Sequence, residues 1–191
     1  MIESIVNIDK KIFIFLNNLG SEKWDFLFLS LSNKITMFLV IIFFIIIHSY
    51  KMNINRVLSF MLFFIICVAL TDFLHVRLFK NIFMRLRPCW ENDILSQIRP
   101  LLLDCGGHYG FISGHAANSA AMVTFLIYCF KNQRTLIKYS LLIWMLAVSY
   151  SRIYLAKHYP LDVLFGISFG FLIGVFMFNI YKIYMNKNHI I

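Results

Sequence analysis

Five apolar stretches, at residues 35–50, 57–79, 111–130, 136–153 and 161–184, each approach the length that crosses a lipid bilayer. The hydrocarbon core is roughly 30 Å thick and a helix rises 1.5 Å per residue, so a span takes about 20 mostly apolar residues. Such runs fold as helices, because their backbone polar groups must be satisfied within the segment. Residues 24–31 are apolar too, set apart by Asn33 and Lys34, and give the first span an earlier candidate start. Composition agrees: 60% of the chain is apolar and 14% charged, against about 45–50% and about 25% in soluble domains.

Ahead of the spans, Ile5, Ile8, Ile12, Phe15 and Leu19 recur at steps of three or four between Asn7, Lys10, Lys11 and Asn18. That pattern predicts an amphipathic helix lying on the bilayer surface. Glu3 and Asp9 interrupt its charge pattern and the apolar run at 12–16 is short, which argues against a cleaved signal peptide. The expected fold is therefore an all-α integral membrane protein. It is a bundle of five to six helices, with about five transmembrane spans and one N-terminal interfacial helix, and it forms a single membrane-embedded domain over 1–191.

The net charge of +9 comes from 18 Lys and Arg against 9 Asp and Glu. With so much apolar surface, it points to loop orientation or an anionic substrate rather than to nucleic acid. Lys51, Arg56, Lys131, Arg134, Lys138, Lys182 and Lys187 fall in two turns and the C-terminal tail, with no acidic residue among them. These segments are expected in the cytoplasm and the long connection at 80–110 in the periplasm. Cys89 and Cys105 bracket that outer loop, and in an oxidising compartment they are placed to form a disulfide; two free thiols are the alternative. The bridge would close about 15 residues, for roughly 3 kcal/mol of unfolded-state restriction.

Three clusters carry chemistry. The first is Lys80 with Arg87-Pro88; taken alone, such cations more often reach for lipid headgroups. The second is Tyr109-Gly110-Phe111-Ile112-Ser113-Gly114-His115, a glycine-bearing approach to a helix N-terminus whose free N–H groups suit a phosphate. The third is Ser151-Arg152 with His158 and Asp162. A spacing of four around Pro160 lets the carboxylate hold one imidazole nitrogen while the other faces a substrate, though an interfacial hydrogen bond reads equally well. Elsewhere, Asp72 and His75 read as a local polar pair, His108 as a loop hydrogen-bonder, and Gly166, Gly170 and Gly174 as close helix packing.

In this order the clusters resemble the type-2 phosphatidic acid phosphatase superfamily, whose signature is Lys-x6-Arg-Pro, Pro-Ser-Gly-His and Ser-Arg-x5-His-x3-Asp. The first and third match in full, and the second departs once, with Ile112 in place of proline. The resemblance covers residues 72–174. Soluble acid phosphatases and vanadate-dependent haloperoxidases share the motifs, and hydropathy sets them aside. The resemblance implies a lipid phosphatase in which His158 forms a phosphohistidine, Asp162 fixes its tautomer and His115 protonates the leaving oxygen. Lys80, Arg87, Ser113, Gly114 and Arg152 would cradle the phosphate. Three cations there leave no role for a metal or cofactor, and no Asp/Glu cluster or Cys/His spacing suggests a metal site. The implied partner is a phosphorylated lipid. The compact chain favours undecaprenyl diphosphate, with lipid A or phosphatidylglycerol phosphate as alternatives. A non-catalytic lipid-binding or transport protein of the same fold is the rival from another class. The implied location is a bacterial inner membrane, with the active site facing the periplasm.

Overall fold

The computed structural model describes residues 2–50, 52–99, 101, 105–130 and 135–188; Lys51, Lys131 and Arg134 of the acid-free turns lie outside them. Eight α-helices follow in chain order: α1 Ile2–Asn18, α2 Glu22–Ser32, α3 Lys34–Ser49, α4 Ile54–His75, the three-residue α5 Asn81–Phe83, α6 Gly114–Cys129, α7 Thr135–Tyr154 and α8 Pro160–Lys187. Helix α4 continues through a π turn, Val76–Lys80, into α5, so one run from Ile54 to Phe83 is long and apolar enough to cross a membrane. α7 and α8 also qualify. The protein is an all-α membrane bundle.

Two expected spans differ in detail. The apolar run before Asn33 and the one after it form a bent pair, α2 and α3, with 68° between them. Asn33 makes the bend: its extended backbone (ψ 130°) ends one helix while its side chain accepts the Ile35 N–H at 2.8 Å and caps the next. Counting that pair as one span gives four by length and composition among the described residues. α6, the remaining apolar stretch, is 16 residues long and so about 24 Å, short for a span. Residues 111–113 are spent on the turn ahead of Gly114, and Tyr128 is the only exposed residue of α6.

α6 packs most closely on α8. A methyl on Gly166 would lie 2.7 Å from Ser113 O, one on Gly174 would lie 2.8 Å from Ala121 O, and one on Gly170 would collide with the Ala117 carbonyl. The glycine spacing of four is therefore a packing seam, as the sequence predicts. Phe60, Phe64, Phe125, Leu126 and Leu141 fill the core between α4, α6 and α7.

α1 has two faces. Ile5, Ile8, Ile12, Phe15 and Leu19 point outward, as an interfacial helix requires, while Asp9, Phe13 and Asn17 are buried against the bundle. Asn17 Nδ2 donates to the carbonyls of Ile153 (3.1 Å) and Tyr154 (2.9 Å) at the end of α7, where the last turn of a helix leaves carbonyls without α-helical partners. A second cluster, built on Phe13, Ile94, Ala156, Tyr159 and Val163, joins α1, the outer loop and the α7–α8 turn.

Candidate active site

The two ends of the outer loop meet as a short antiparallel pair. Helix α5 stops at Met84, whose left-handed backbone (φ 41°) lets the chain continue extended. The Arg87 N–H then donates to His108 O at 2.9 Å and the Gly110 N–H to Arg85 O at 2.8 Å, with Leu86 opposite Tyr109. The Lys80 to Pro88 motif is thereby laid against the turn that precedes α6. Buried Arg87 donates from Nε to Tyr109 O (3.2 Å) and from Nη1 to Cys105 O (2.8 Å). Cys105 is bridged to Cys89, with Cα atoms 6.1 Å apart, so the disulfide steadies the carbonyl that steadies Arg87. Gly110 passes between motifs: a Cβ there would sit 3.1 Å from Arg87 Cγ and 3.2 Å from Asp162 Oδ2.

Ser113 caps α6, its Oγ accepting the Ala116 N–H at 3.5 Å, and its own N–H donates to Asp162 O at 2.9 Å. Ile112, where the family pattern has proline, is fully buried behind it. The N–H groups of Gly114 and His115 fall in the first turn, where a helix offers them no internal acceptor.

α7 closes with the left-handed residue Ala156 (φ 55°). Lys157 N–H donates to Arg152 O and Ala156 N–H to Ile153 O, both at 3.0 Å, the paired bonds of a Schellman motif. His158 N–H joins the same Arg152 carbonyl at 3.2 Å, so the chain turns back on the helix end that carries Arg152. Tyr159 then caps α8, Pro160 occupies its first turn, and Asp162 Oδ2 accepts the Tyr159 N–H at 3.0 Å. The same oxygen lies 3.6 Å from His158 Nδ1.

His158 is 2% exposed. Burial, then the charges of Arg152, Arg87 and Lys80, hold its imidazole well below the usual 6.5. A neutral imidazole can act as a nucleophile, and cations within its electrostatic reach can hold an anion. His115 lies within electrostatic range of Arg152 and His158, and its Nε2–H donates to Ser32 O at 3.2 Å. All eight residues singled out from the motifs, Lys80, Arg87, Ser113, Gly114, His115, Arg152, His158 and Asp162, thus gather where α6 and α8 begin and α7 ends.

Three further residues touch this group without a motif to announce them. Ser32, at the α2–α3 bend, also accepts from Arg152 Nη1 through its Oγ. Arg85 donates from Nη1 to Asp162 Oδ1 at 2.9 Å and from Nη2 to Asp9 Oδ2 at 2.7 Å, with its guanidinium 4.0 Å over the Tyr159 ring. In an extended segment, alternate residues share a face, so Arg85 could have been read from its place two before Arg87. Asp9 left only the signal of an acid on the polar side of α1. Burial pushes its carboxyl up, offset in part by the Arg85 and Leu161 N–H groups. Asp72 Oδ1 lies 3.9 Å from His75 Nδ1 and accepts from Asn118 Nδ2 at 3.0 Å, and the His108 ring lies tilted against Trp90 with ring centroids 4.6 Å apart. Among the described residues no group of three or more His, Cys, Asp or Glu lies together.

Solved structures share this architecture. LpxE from Aquifex aeolicus superposes with a TM-score of 0.63 at 21% identity, covering 88% of this chain and 93% of that one. A PAP2-type phosphatidylglycerolphosphate phosphatase from Bacillus subtilis gives 0.68 at 19% identity, covering 96% and 87%. In sequence, the chain is 30% identical to a lipid A 4'-phosphatase of Porphyromonas gingivalis over 94% of its length and 75% of the relative's. A lipid A 4'-phosphatase of Bacteroides thetaiotaomicron matches at 30% over 89% and 75%. Residues 60–185, which hold every one of the three motifs, match the PAP2 superfamily, and the chain belongs to that family of membrane lipid phosphatases.

Proposed function

We propose that this chain hydrolyses a phosphate ester on the headgroup of lipid A, at the periplasmic face of a bacterial inner membrane, through a phosphohistidine on His158. The observation that carries the chemistry is the neutral, buried His158 in reach of Arg152, Arg87 and Lys80. The choice of lipid is supported by the two relatives named lipid A 4'-phosphatase. They move the preference away from undecaprenyl diphosphate, which chain length alone favours.

In the proposed reaction His158 Nε2 attacks phosphorus, the N–P bond forms and the bond to the sugar oxygen breaks. His115, entering as the imidazolium, gives its proton to that oxygen and is left neutral. Asp162 receives the Nδ1–H of the imidazolium, while the cations and the first-turn N–H groups hold the three equatorial oxygens. Water then attacks the phosphohistidine, His115 takes its proton, and inorganic phosphate leaves with His158 restored. His115 must exchange its bond to Ser32 O for the leaving oxygen.

The test is phosphate release from lipid A, undecaprenyl diphosphate and phosphatidylglycerol phosphate, in excess EDTA. Lipid A is expected to react fastest, and His158→Ala to release nothing while still binding vanadate. Removing His115 should slow phosphate esters more than diphosphates, whose leaving group is already stabilised. Turnover confined to undecaprenyl diphosphate would overturn the lipid assignment. Release from no lipid would point to a binding or transport protein.

A further inference from the structure

We propose that Asp9 of the N-terminal helix is a positioning residue for the phosphatase reaction, dividing the guanidinium fork of Arg85 so that Asp162 keeps one oxygen for His158. The inference rests on the reading of His158 as nucleophile and Asp162 as its partner.

The geometry is a chain of four side chains. Leu161 N–H donates to Asp9 Oδ1 at 3.0 Å, and Arg85 Nη2 donates to Asp9 Oδ2 at 2.7 Å. Arg85 Nη1 donates to Asp162 Oδ1 at 2.9 Å. The remaining oxygen, Asp162 Oδ2, holds the Tyr159 N–H and faces His158 Nδ1 at 3.6 Å. Both carboxylates are buried, at 2% and 0% exposure. The Tyr159 ring under the guanidinium restricts where the fork can turn.

An Arg beside a single buried carboxylate prefers to bind both its oxygens at once. Arg85 does not do so here, because Asp9 takes its second prong. Without the Asp9 charge, that prong is free to swing to Asp162 Oδ2, the oxygen His158 needs. The attacking imidazole gains positive charge as the N–P bond forms, so an Asp162 drawn fully into an Arg85 pair would stabilise the transition state less and orient the ring less well. Contacts to the phosphate itself are untouched. The effect therefore belongs in kcat rather than in KM.

The test measures inorganic phosphate released from lipid A and from undecaprenyl diphosphate by the full chain in detergent micelles. Asp9→Asn keeps the shape and an oxygen for the Leu161 N–H. It is expected to lower kcat by at least about tenfold, with KM within about twofold and vanadate binding retained. Arg85→Lys, which offers one point charge in place of a fork, should fall by a similar factor, and it serves should Asp9→Asn fail to fold. In an Arg85→Met background, Asp9→Asn should cost nothing further, because no fork is left to divide. Lys10→Ala removes the neighbouring ion pair to Glu91 (2.6 Å) and should leave kcat near native. A native kcat in Asp9→Asn or Arg85→Lys overturns the proposal. So does a full Asp9→Asn loss in the Arg85→Met background, or an equal loss in Lys10→Ala, which would reduce the effect to helix docking. Asp162→Asn and His158→Ala run alongside. If those two keep turnover, the nucleophile reading itself fails; if they are inactive while Asp9→Asn is native, only the inference about Asp9 does.

Discussion

To attack phosphorus as proposed, His158 must be uncharged, and its surroundings set the pH at which that condition fails. Burial and the neighbouring Arg152, Arg87 and Lys80 all oppose its protonation, so the acid limb of kcat/KM is expected well under pH 6.5. Removing a cation relieves part of that opposition. Arg152→Gln should therefore slow the enzyme and move the limb upward by about one unit, with burial retaining the rest; a pH–rate series on both proteins checks this, and a limb that stays or moves down counts against it. The eight motif residues were legible in the sequence because phosphate chemistry asks for particular side chains at particular spacings, and each motif is local. Asp9 and Ser32 were not, and Arg85 left only its place two before Arg87, with nothing to name its partners. The partners of Asp9 and Arg85 lie 76 and 77 positions apart in the chain, and Ser32 meets Arg152 across 120. No local pattern encodes such a meeting.

At the scale of elements, hydropathy placed α3, α4, α7 and α8 well, because a lipid-facing helix must be apolar along its length. It overestimated α6. A helix wrapped by other helices is freed from matching the bilayer, and its apolar run at 111–130 includes the turn residues ahead of Ser113. The seam between α6 and α8 offers a direct measurement. Gly170→Ala places a methyl against the Ala117 carbonyl and should cost about 1–3 kcal/mol of stability in detergent unfolding, whereas Ser168→Ala, exposed on the same helix, should be near neutral. The outer loop offers another. Alkylation without reductant followed by intact-mass analysis should leave Cys89 and Cys105 unlabelled, and reduction should lower activity by loosening the Cys105 carbonyl that Arg87 binds.

For the whole molecule, orientation in the membrane is the expectation with the widest reach. Arg56, Lys138, Lys182 and Lys187 of the acid-free segments lie at the opposite end of the bundle from the three motifs, so an impermeant maleimide should reach Asn92→Cys in intact cells and Asn186→Cys only after lysis. Labelling in the reverse order would put the site on the cytoplasmic side. The enclosure of α6 has a consequence for how the enzyme meets different membranes. α8 runs 28 residues, about 42 Å, and overshoots the hydrocarbon core by roughly 12 Å. A free helix of that length would tilt as bilayer thickness changes. α8 turns Leu164, Leu172 and Phe176 outward but is clasped along its glycine seam to a helix that barely touches lipid, so acyl-chain length acts on the outward faces of α3, α4, α7 and α8 while the junction of α6 and α8 keeps its geometry. Turnover should accordingly hold nearly level across vesicles of short, medium and long acyl chains, which would let one enzyme serve cells that remodel their membranes with temperature.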